Sequence, residues 1–253
     1  QALQSTDTMR REVLPNGSHD LRTPLTTLRA HLETLADEPL GLSVQERREY
    51  IDVSLRQTKR LIRLVEQLLE VAKLDSAQVT PQIEPFSIAD LAQDVVQKFA
   101  LSAQEGGITV EIAADRGLPW VQADIGLIER VLDNLIENAL RYSPRGGRVQ
   151  IALESGAAGV VRLSVTDSGP GLTPETAARV LDRFYRADPS RSGAGGHAGL
   201  GLSIVKSILE LHSTTIEVEG RPGLGARFAF SLPAFVAVPA AEAVSSPLRS
   251  FGT

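Results

Sequence analysis

The sequence predicts an α+β chain: a helical hairpin that completes a four-helix bundle in a dimer, followed by an α/β sandwich. Three observations predict it. Leu14, Leu21, Leu25, Leu28, Leu32 and Leu35 fall on a 3–4 seam in which Ser18 fills the missing step. Ile51, Leu55, Ile62, Val65 and Leu69 make a second helical stripe, widened by Leu61, Leu64, Leu68 and Val71. A face that broad needs more than one partner helix, and two hairpins across a twofold axis supply it. Beyond residue 86 the pattern changes, and helices alternate with short runs of strand period.

The elements follow in order. Asp37-Glu38-Pro39-Leu40-Gly41 breaks the first helix, and Ser43 with Glu46 reads as a capping box opening the second. Residues 76–86 contain Pro81 and Pro85 and read as a linker with room for a short strand. Ser87 caps a helix that stops at Gly106-Gly107. Ile108–Ile112 alternates as a strand, Asp124–Tyr142 is an amphipathic helix, and Arg148–Glu154 and Val160–Asp167 form a strand pair. A short helix at Thr173–Asp182, a loop rich in Gly, Ser and Arg, a helix at Leu200–His212 and strands at Thr215–Glu219 and Ala226–Leu232 complete the pattern. The expected division is 1–75 for the hairpin, 76–86 for the linker, 87–233 for the sandwich, and 234–253 for a disordered Ala-, Pro- and Ser-rich tail.

Composition narrows the function. The chain has 253 residues, is 42% hydrophobic and carries a net charge of -5, so it can build a core and shows no basic excess for nucleic acid. The absence of cysteine excludes disulfides, thiolate metal sites and cysteine nucleophiles. No apolar run reaches the roughly 20 residues of a membrane span. The chain opens on Gln1 with no leader and reads as part of a longer protein.

Four places could carry chemistry. With Leu21, Leu28 and Leu35 at d and Leu25 and Leu32 at a, His19 falls at b, off the buried seam. A neutral imidazole there is a competent nucleophile near pH 7, and Asp20 beside it could orient the ring or take its proton; position alone favours a plain surface histidine. Asn134, Asn138, Arg141 and Tyr142 share one face of their helix, opposite Val131, Leu132, Leu135, Ile136 and Ala139. An asparagine oxygen suits Mg²⁺, although the face taken alone reads as a solvated one. Asp167-Ser168-Gly169-Pro170-Gly171 follows a strand, as a glycine turn or as a carboxylate poised over a bound base. The run Gly193-Ala194-Gly195-Gly196-His197-Ala198-Gly199-Leu200-Gly201-Leu202 opens a helix, whose N-terminal amides suit phosphate; no Gly-Lys-Ser/Thr follows, so it is not a P-loop.

Their order and spacing decide between these readings. Ser18-His19-Asp20-Leu21-Arg22-Thr23-Pro24-Leu25 resembles the phosphoacceptor box of the sensor histidine kinases of two-component signalling. Asp133–Tyr142 resembles their asparagine box, Val165–Gly171 the first glycine box, Arg183-Phe184-Tyr185-Arg186 the phenylalanine box, Gly199–Val205 the second glycine box and Gly223–Phe228 the last. The resemblance covers about residues 10–233, in the family's order.

It implies a dimerisation and histidine-phosphotransfer hairpin followed by a Bergerat-type ATP-binding domain, with ATP and Mg²⁺ as cofactors. His19 is then the phosphorylated residue, Asn138 the Mg²⁺ ligand, and Asn134 and Tyr142 part of the nucleotide site. Asp167 binds the adenine amine between Gly169 and Gly171, and the amides of Gly199 and Gly201 meet the phosphates. The implied partners are a second copy of the chain and the receiver domain of a response regulator, and Asp20 and Thr23 match members that also dephosphorylate it. A membrane enters only through a sensor region outside the chain, which would make this the cytoplasmic portion of an inner-membrane protein. Two alternatives stand beside the kinase: a non-catalytic nucleotide-binding dimer scaffold and a gyrase-like ATPase module. Those ATPases carry a catalytic glutamate where this chain has Asn134, which argues against hydrolysis. One stretch departs from the family: Leu14-Pro15-Asn16-Gly17 should break or kink the first helix before His19, unless Pro15 starts a new one.

Overall fold

A computed structural model describes residues 21–36, 41–76, 79–187 and 198–236. His19, Asp20 and the expected break at Pro15 and Gly17 lie outside the described residues, as does most of the 234–253 tail. Helix α1 covers 21–36 and α2 runs Val44–Asp75. The capping box is formed: the Ser43 hydroxyl accepts from the Glu46 amide at 3.2 Å, and the Glu46 carboxylate accepts from the Ser43 amide at 2.9 Å. His31 and Tyr50 meet edge to face across the hairpin, with ring centroids 5.1 Å apart.

In the single chain the stripe is partly open, although Leu21, Leu28 and Leu35 of the predicted seam are half-buried. Leu25, Leu32, Ile51, Leu55, Ile62, Val65 and Leu69 are each between 45% and 57% exposed. The widening residues divide. Leu64 and Val71 are buried and, with Leu74, join the main core, while α2 packs along the sixth helix, α6 (Gly201–Leu211). Part of the broad face expected to need a second hairpin is therefore covered by α6.

The remaining elements are β1 (Glu84–Phe86), α3 (Ile88–Gly106), β2 (Thr109–Ala114), β3 (Val121–Ala123), α4 (Ile125–Tyr142), β4 (Arg148–Ser155), β5 (Val160–Asp167), α5 (Pro174–Arg179), β6 (Glu217–Gly220) and β7 (Ala226–Pro233). Ser87, Asp124 and Thr173 each accept from the backbone as N-caps, and Gly107 ends α3 in the left-handed conformation. Five strands form one sheet in the order β2-β4-β5-β7-β6, and β1 pairs with β3 in a separate ribbon. The pairs β4–β5, β5–β7 and β7–β6 are antiparallel, whereas β2 runs parallel to β4. The path between them passes through α4, and a helical crossover is the connection that delivers a parallel strand.

Alternation then decides the layers. Val149, Ile151 and Leu153 on β4, Val161, Leu163 and Val165 on β5, and Phe228, Phe230 and Leu232 on β7 all point to one face and are buried. Ile128, Val131, Leu132, Leu135, Ile136 and Ala139 of α4, with Ile204, Val205, Ile208 and Leu209 of α6, cover them. The other face carries the Arg162–Glu217 and Arg227–Glu219 ion pairs. His212 ties the helix layer together: its Nδ1 pairs with the Ile208 carbonyl at 2.8 Å and its Nε2 accepts from the Asp124 amide at 3.0 Å. That pairing assigns the neutral Nδ1–H tautomer.

Candidate functional site

The asparagine face of α4 is graded in exposure. Asn134 is buried, Asn138 is half-buried, and Tyr142 stands open at the helix end. The Asn134 side-chain amide donates to the Arg130 carbonyl at 2.8 Å, four residues back. Its oxygen faces Gly201 at the start of α6, where an added Cβ would lie 2.7 Å from it. A solvated polar face is thus excluded at Asn134, because the α6 N-terminus sits on it. Tyr142 lies eight residues further along α4, about 12 Å at 1.5 Å per residue.

Asp167 marks the other end. It closes β5, is 6% exposed, and accepts from the Gly169 amide at 2.8 Å and the Ala226 amide at 3.3 Å, both through one oxygen. Burial raises its pKa above the ordinary carboxylate value, against the lowering effect of those two amides. Glycine is required around it. At Gly171 (φ +76°) a Cβ would lie 1.8 Å from the Arg221 carbonyl oxygen; at Gly225 (φ +79°), 1.9 Å from that of Asp167. At Gly169 a Cβ would come within 2.8 Å of the Tyr142 carbonyl, so the C-terminus of α4 abuts the Asp167 loop.

A third wall comes from the glycine run. Gly199 has φ +70°, its carbonyl accepts from the Phe184 amide at 3.0 Å, and a Cβ on it would sit 2.7 Å from the Tyr185 carbonyl. Phe184 itself has φ +60°, a conformation uncommon outside glycine. These contacts join Phe184 and Tyr185 to Gly199. Gly201 thus abuts Asn134, and Gly169 abuts both Asp167 and the Tyr142 carbonyl at the far end of the face that carries Asn138, while Thr23 stands apart as an exposed residue of α1.

The sequence reading missed what α2 brings. The Glu70 carboxylate takes a two-pronged contact from Arg130, at 2.7 to 3.1 Å, and Asp75 pairs with Arg183. Arg60, Arg63 and Leu64 of α2 then face Asn134 and Glu137 of α4 across a small cavity closed by Ala198. Contacts between residues 60 positions apart leave no local sequence signal. Desolvation holds the Arg141 guanidinium below its ordinary pKa; Tyr142 and Glu137 raise it, while the Arg186 and Arg63 cations lower it further.

The donors fit a hard metal bound through a nucleotide. Among the described residues no group of three His, Cys, Asp or Glu side chains could hold an ion by itself. Asn138 offers one amide oxygen, which suits an ion that keeps most of its waters and takes its remaining ligands from phosphates.

Asp167 gives a prediction with opposite signs for stability and recognition. With a raised folded-state pKa, its contribution to stability is full below the unfolded carboxylate pKa. It declines as pH rises through the raised value and stays low above it. Asp167→Asn removes the buried charge but keeps an acceptor oxygen. At neutral pH the variant should melt at or above the wild-type temperature and should lose preference for adenine over guanine in nucleotide titrations. A lower melting temperature with unchanged base preference would contradict both halves.

Known proteins share both parts. Residues 9–77 match the family model of the His Kinase A (phospho-acceptor) domain, and residues 123–235 match that of the histidine kinase-, DNA gyrase B-, and HSP90-like ATPases. The chain is 36% identical over 228 residues to the sensor histidine kinase WalK of Bacillus subtilis (strain 168), covering 90% of this chain and 37% of WalK. Full-length ShkA in complex with AMPPNP superposes with a TM-score of 0.67 at 30% identity, over 89% of this chain and 47% of that one. The fold is also that of the histidine kinase ThkA in complex with the response regulator protein TrrA, with a TM-score of 0.76 at 24% identity, over 92% of this chain and 64% of that one. The chain spans only part of such relatives, from 29% of the sensor protein DivL of Caulobacter vibrioides to 58% of SenX3 of Mycolicibacterium smegmatis.

Proposed function

The chain belongs to the sensor histidine kinases of two-component systems, and from that premise we propose that it binds Mg-ATP, phosphorylates its own His19 and passes the phosphoryl group to an aspartate of a response regulator. One observation carries this reading. A buried asparagine, Asn134, sits where the related ATPases hold a water-activating carboxylate, on the same helix face as Asn138 and about 12 Å from the end next to the Asp167 cradle. The proposed division of labour is residues 1–75 for dimerisation and phosphotransfer, 76–86 as linker, 87–233 for nucleotide, and 234–253 as tail.

In this scheme the Asp167 carboxylate accepts from the adenine amino group, and Gly169 and Gly171 let the backbone approach the base. Asn134 and the Gly199 and Gly201 amides position the phosphates, and Asn138 supplies a metal ligand. Bound Mg²⁺ neutralises charge on the transferred group. An imidazole nitrogen of His19 forms a bond to the γ-phosphorus as the bond to the β-phosphate oxygen breaks; ADP departs and Asp20 takes the proton. Asn134 has no carboxylate with which to activate a water, which favours transfer over hydrolysis. Incubation with γ-labelled ATP tests the scheme, because a kinase retains label on protein, an ATPase module releases it as phosphate, and a scaffold does neither. Either of the last two results would overturn it.

The exposed stripe on α1 and α2 supports the homodimer. Seven large apolar side chains in two parallel rows form a surface that water should not keep. The double substitution Leu55→Lys with Ile62→Lys should convert the chain to a monomer in sedimentation, with its strand signal in circular dichroism retained. A persistent dimer would remove this face from the interface. Thr23, on α1, is assigned to dephosphorylation of the regulator, where its hydroxyl positions the attacking water. Thr23→Ala should keep self-phosphorylation and lose regulator dephosphorylation; equal dephosphorylation by both forms would refute the assignment. In the full-length protein we place the chain on the cytoplasmic side, where ATP and the regulator are found.

A further inference from the structure

We infer that α2 contributes a phosphate-binding cation to the nucleotide site, Arg63, with Arg60 beside it. This rests on the nucleotide reading above and adds a contact from the hairpin to a site otherwise built from α4, α6 and the Asp167 loop. The geometry starts at the cavity between α2 and α4. Arg60 and Arg63 line it from one side and Asn134 and Glu137 from the other, with Ala198 at its end. Asn134 is the far end of the asparagine face, two turns of helix from the Asp167 cradle. A nucleotide with its base at Asp167 and its chain laid along that face brings its distal phosphates to this cavity.

The charges agree. Arg63 from α2, Arg141 from α4 and Arg186 from the loop after α5 are close enough for each of the other two to disfavour the charge on Arg141. Burial is the larger cost to that charge, and Tyr142 and Glu137 favour it more than either arginine opposes it, so the repulsion supports the cavity geometry without carrying the inference alone. The neighbouring charges are already engaged: Arg130 with Glu70, Asp133 with Lys98. Among the described residues neither Arg60 nor Arg63 is held in an ion pair. Glu66 and Glu137 also line the cavity and offset part of the positive potential. The Glu70–Arg130 and Asp75–Arg183 pairs fix α2 beside α4 and the turn after α5, so Arg63 is brought to the site without the ligand having to move a helix. The extra charge of a triphosphate over a diphosphate lies at the distal end, and it is that charge that Arg63 meets.

The test is calorimetric titration of the full chain with Mg²⁺ and either AMPPNP or ADP, for wild type, Arg63→Gln and Arg63→Lys. Arg63 is exposed, so its variants should melt with the wild type. Arg63→Gln should weaken AMPPNP about tenfold, the size of one charge-assisted contact, and leave ADP within about twofold. Arg63→Lys should recover AMPPNP binding to within about threefold, since the charge is kept and only the forked geometry is lost. Unchanged AMPPNP binding in Arg63→Gln, equal losses for both nucleotides, or no recovery by lysine would overturn the assignment while leaving the nucleotide site standing. Failure of the wild type to bind either nucleotide would overturn the nucleotide reading itself.

Discussion

Gly171→Ala should lower the melting temperature by about 5–15 °C and remove measurable nucleotide binding. The glycine has φ +76°, where an L side chain costs about 1–2 kcal/mol, and its Cβ would lie 1.8 Å from the Arg221 carbonyl oxygen. Backbone cannot step aside as a flexible side chain does. The strand β7 that follows pairs with β5, so the displaced segment pulls on the sheet that holds Asp167. Strain and overpacking together cost about 2–5 kcal/mol, and each kcal/mol shifts the midpoint of a chain this size by about 2–4 °C. Gly223 supplies the control. It has φ +79° but nothing within 4 Å of an added Cβ, so Gly223→Ala should show the backbone strain alone. Equal losses in the two variants, read by thermal melting, would show that the Arg221 contact is unimportant.

Asn138→Ala should weaken Mg-ATP binding at least about tenfold and reduce protein labelling in proportion. The residue is half-buried on the asparagine face of α4, one turn from Asn134. Alanine is the better helix former, so the substitution should not destabilise α4, and a binding loss cannot be assigned to unfolding. The lost group is one oxygen ligand to the metal. Chelation of Mg²⁺ by EDTA should therefore bring wild type and variant to the same weak affinity. A difference that survives chelation would mean that Asn138 contacts the nucleotide directly.

Much of this was legible in the chain, for identifiable reasons. Capping residues act locally, so Ser43, Ser87, Asp124 and Thr173 marked helix starts that the structure keeps. Strands β4, β5 and β7 each bury one face, so their alternation was strong. β3 has only three residues and passed unnoticed, because no period can be read in so short a run. β6 begins at Glu217 rather than at Thr215, and as an edge strand with little burial it leaves a weak pattern. The site divided the same way. Asn134, Asn138, Asp167 and the glycines stood in recognisable motifs. The burial of Asn134, the left-handed Phe184 and the contacts of Arg63 and Glu70 depend on elements far apart in sequence, which meet only after folding.

The central claim is that the γ-phosphoryl group of ATP ends on an imidazole of this chain. Direct mapping of the modified residue tests it. The chain is incubated with Mg-ATP, digested at alkaline pH to preserve a phosphoramidate, and the phosphorylated peptide is sequenced by tandem mass spectrometry alongside His19→Gln. The account predicts one phosphorylated site at His19, labile to acid and stable to base, and no modification in His19→Gln. Phosphate on a serine, threonine or aspartate, the same incorporation in His19→Gln, or ATP consumed with no phosphate on the protein would contradict it.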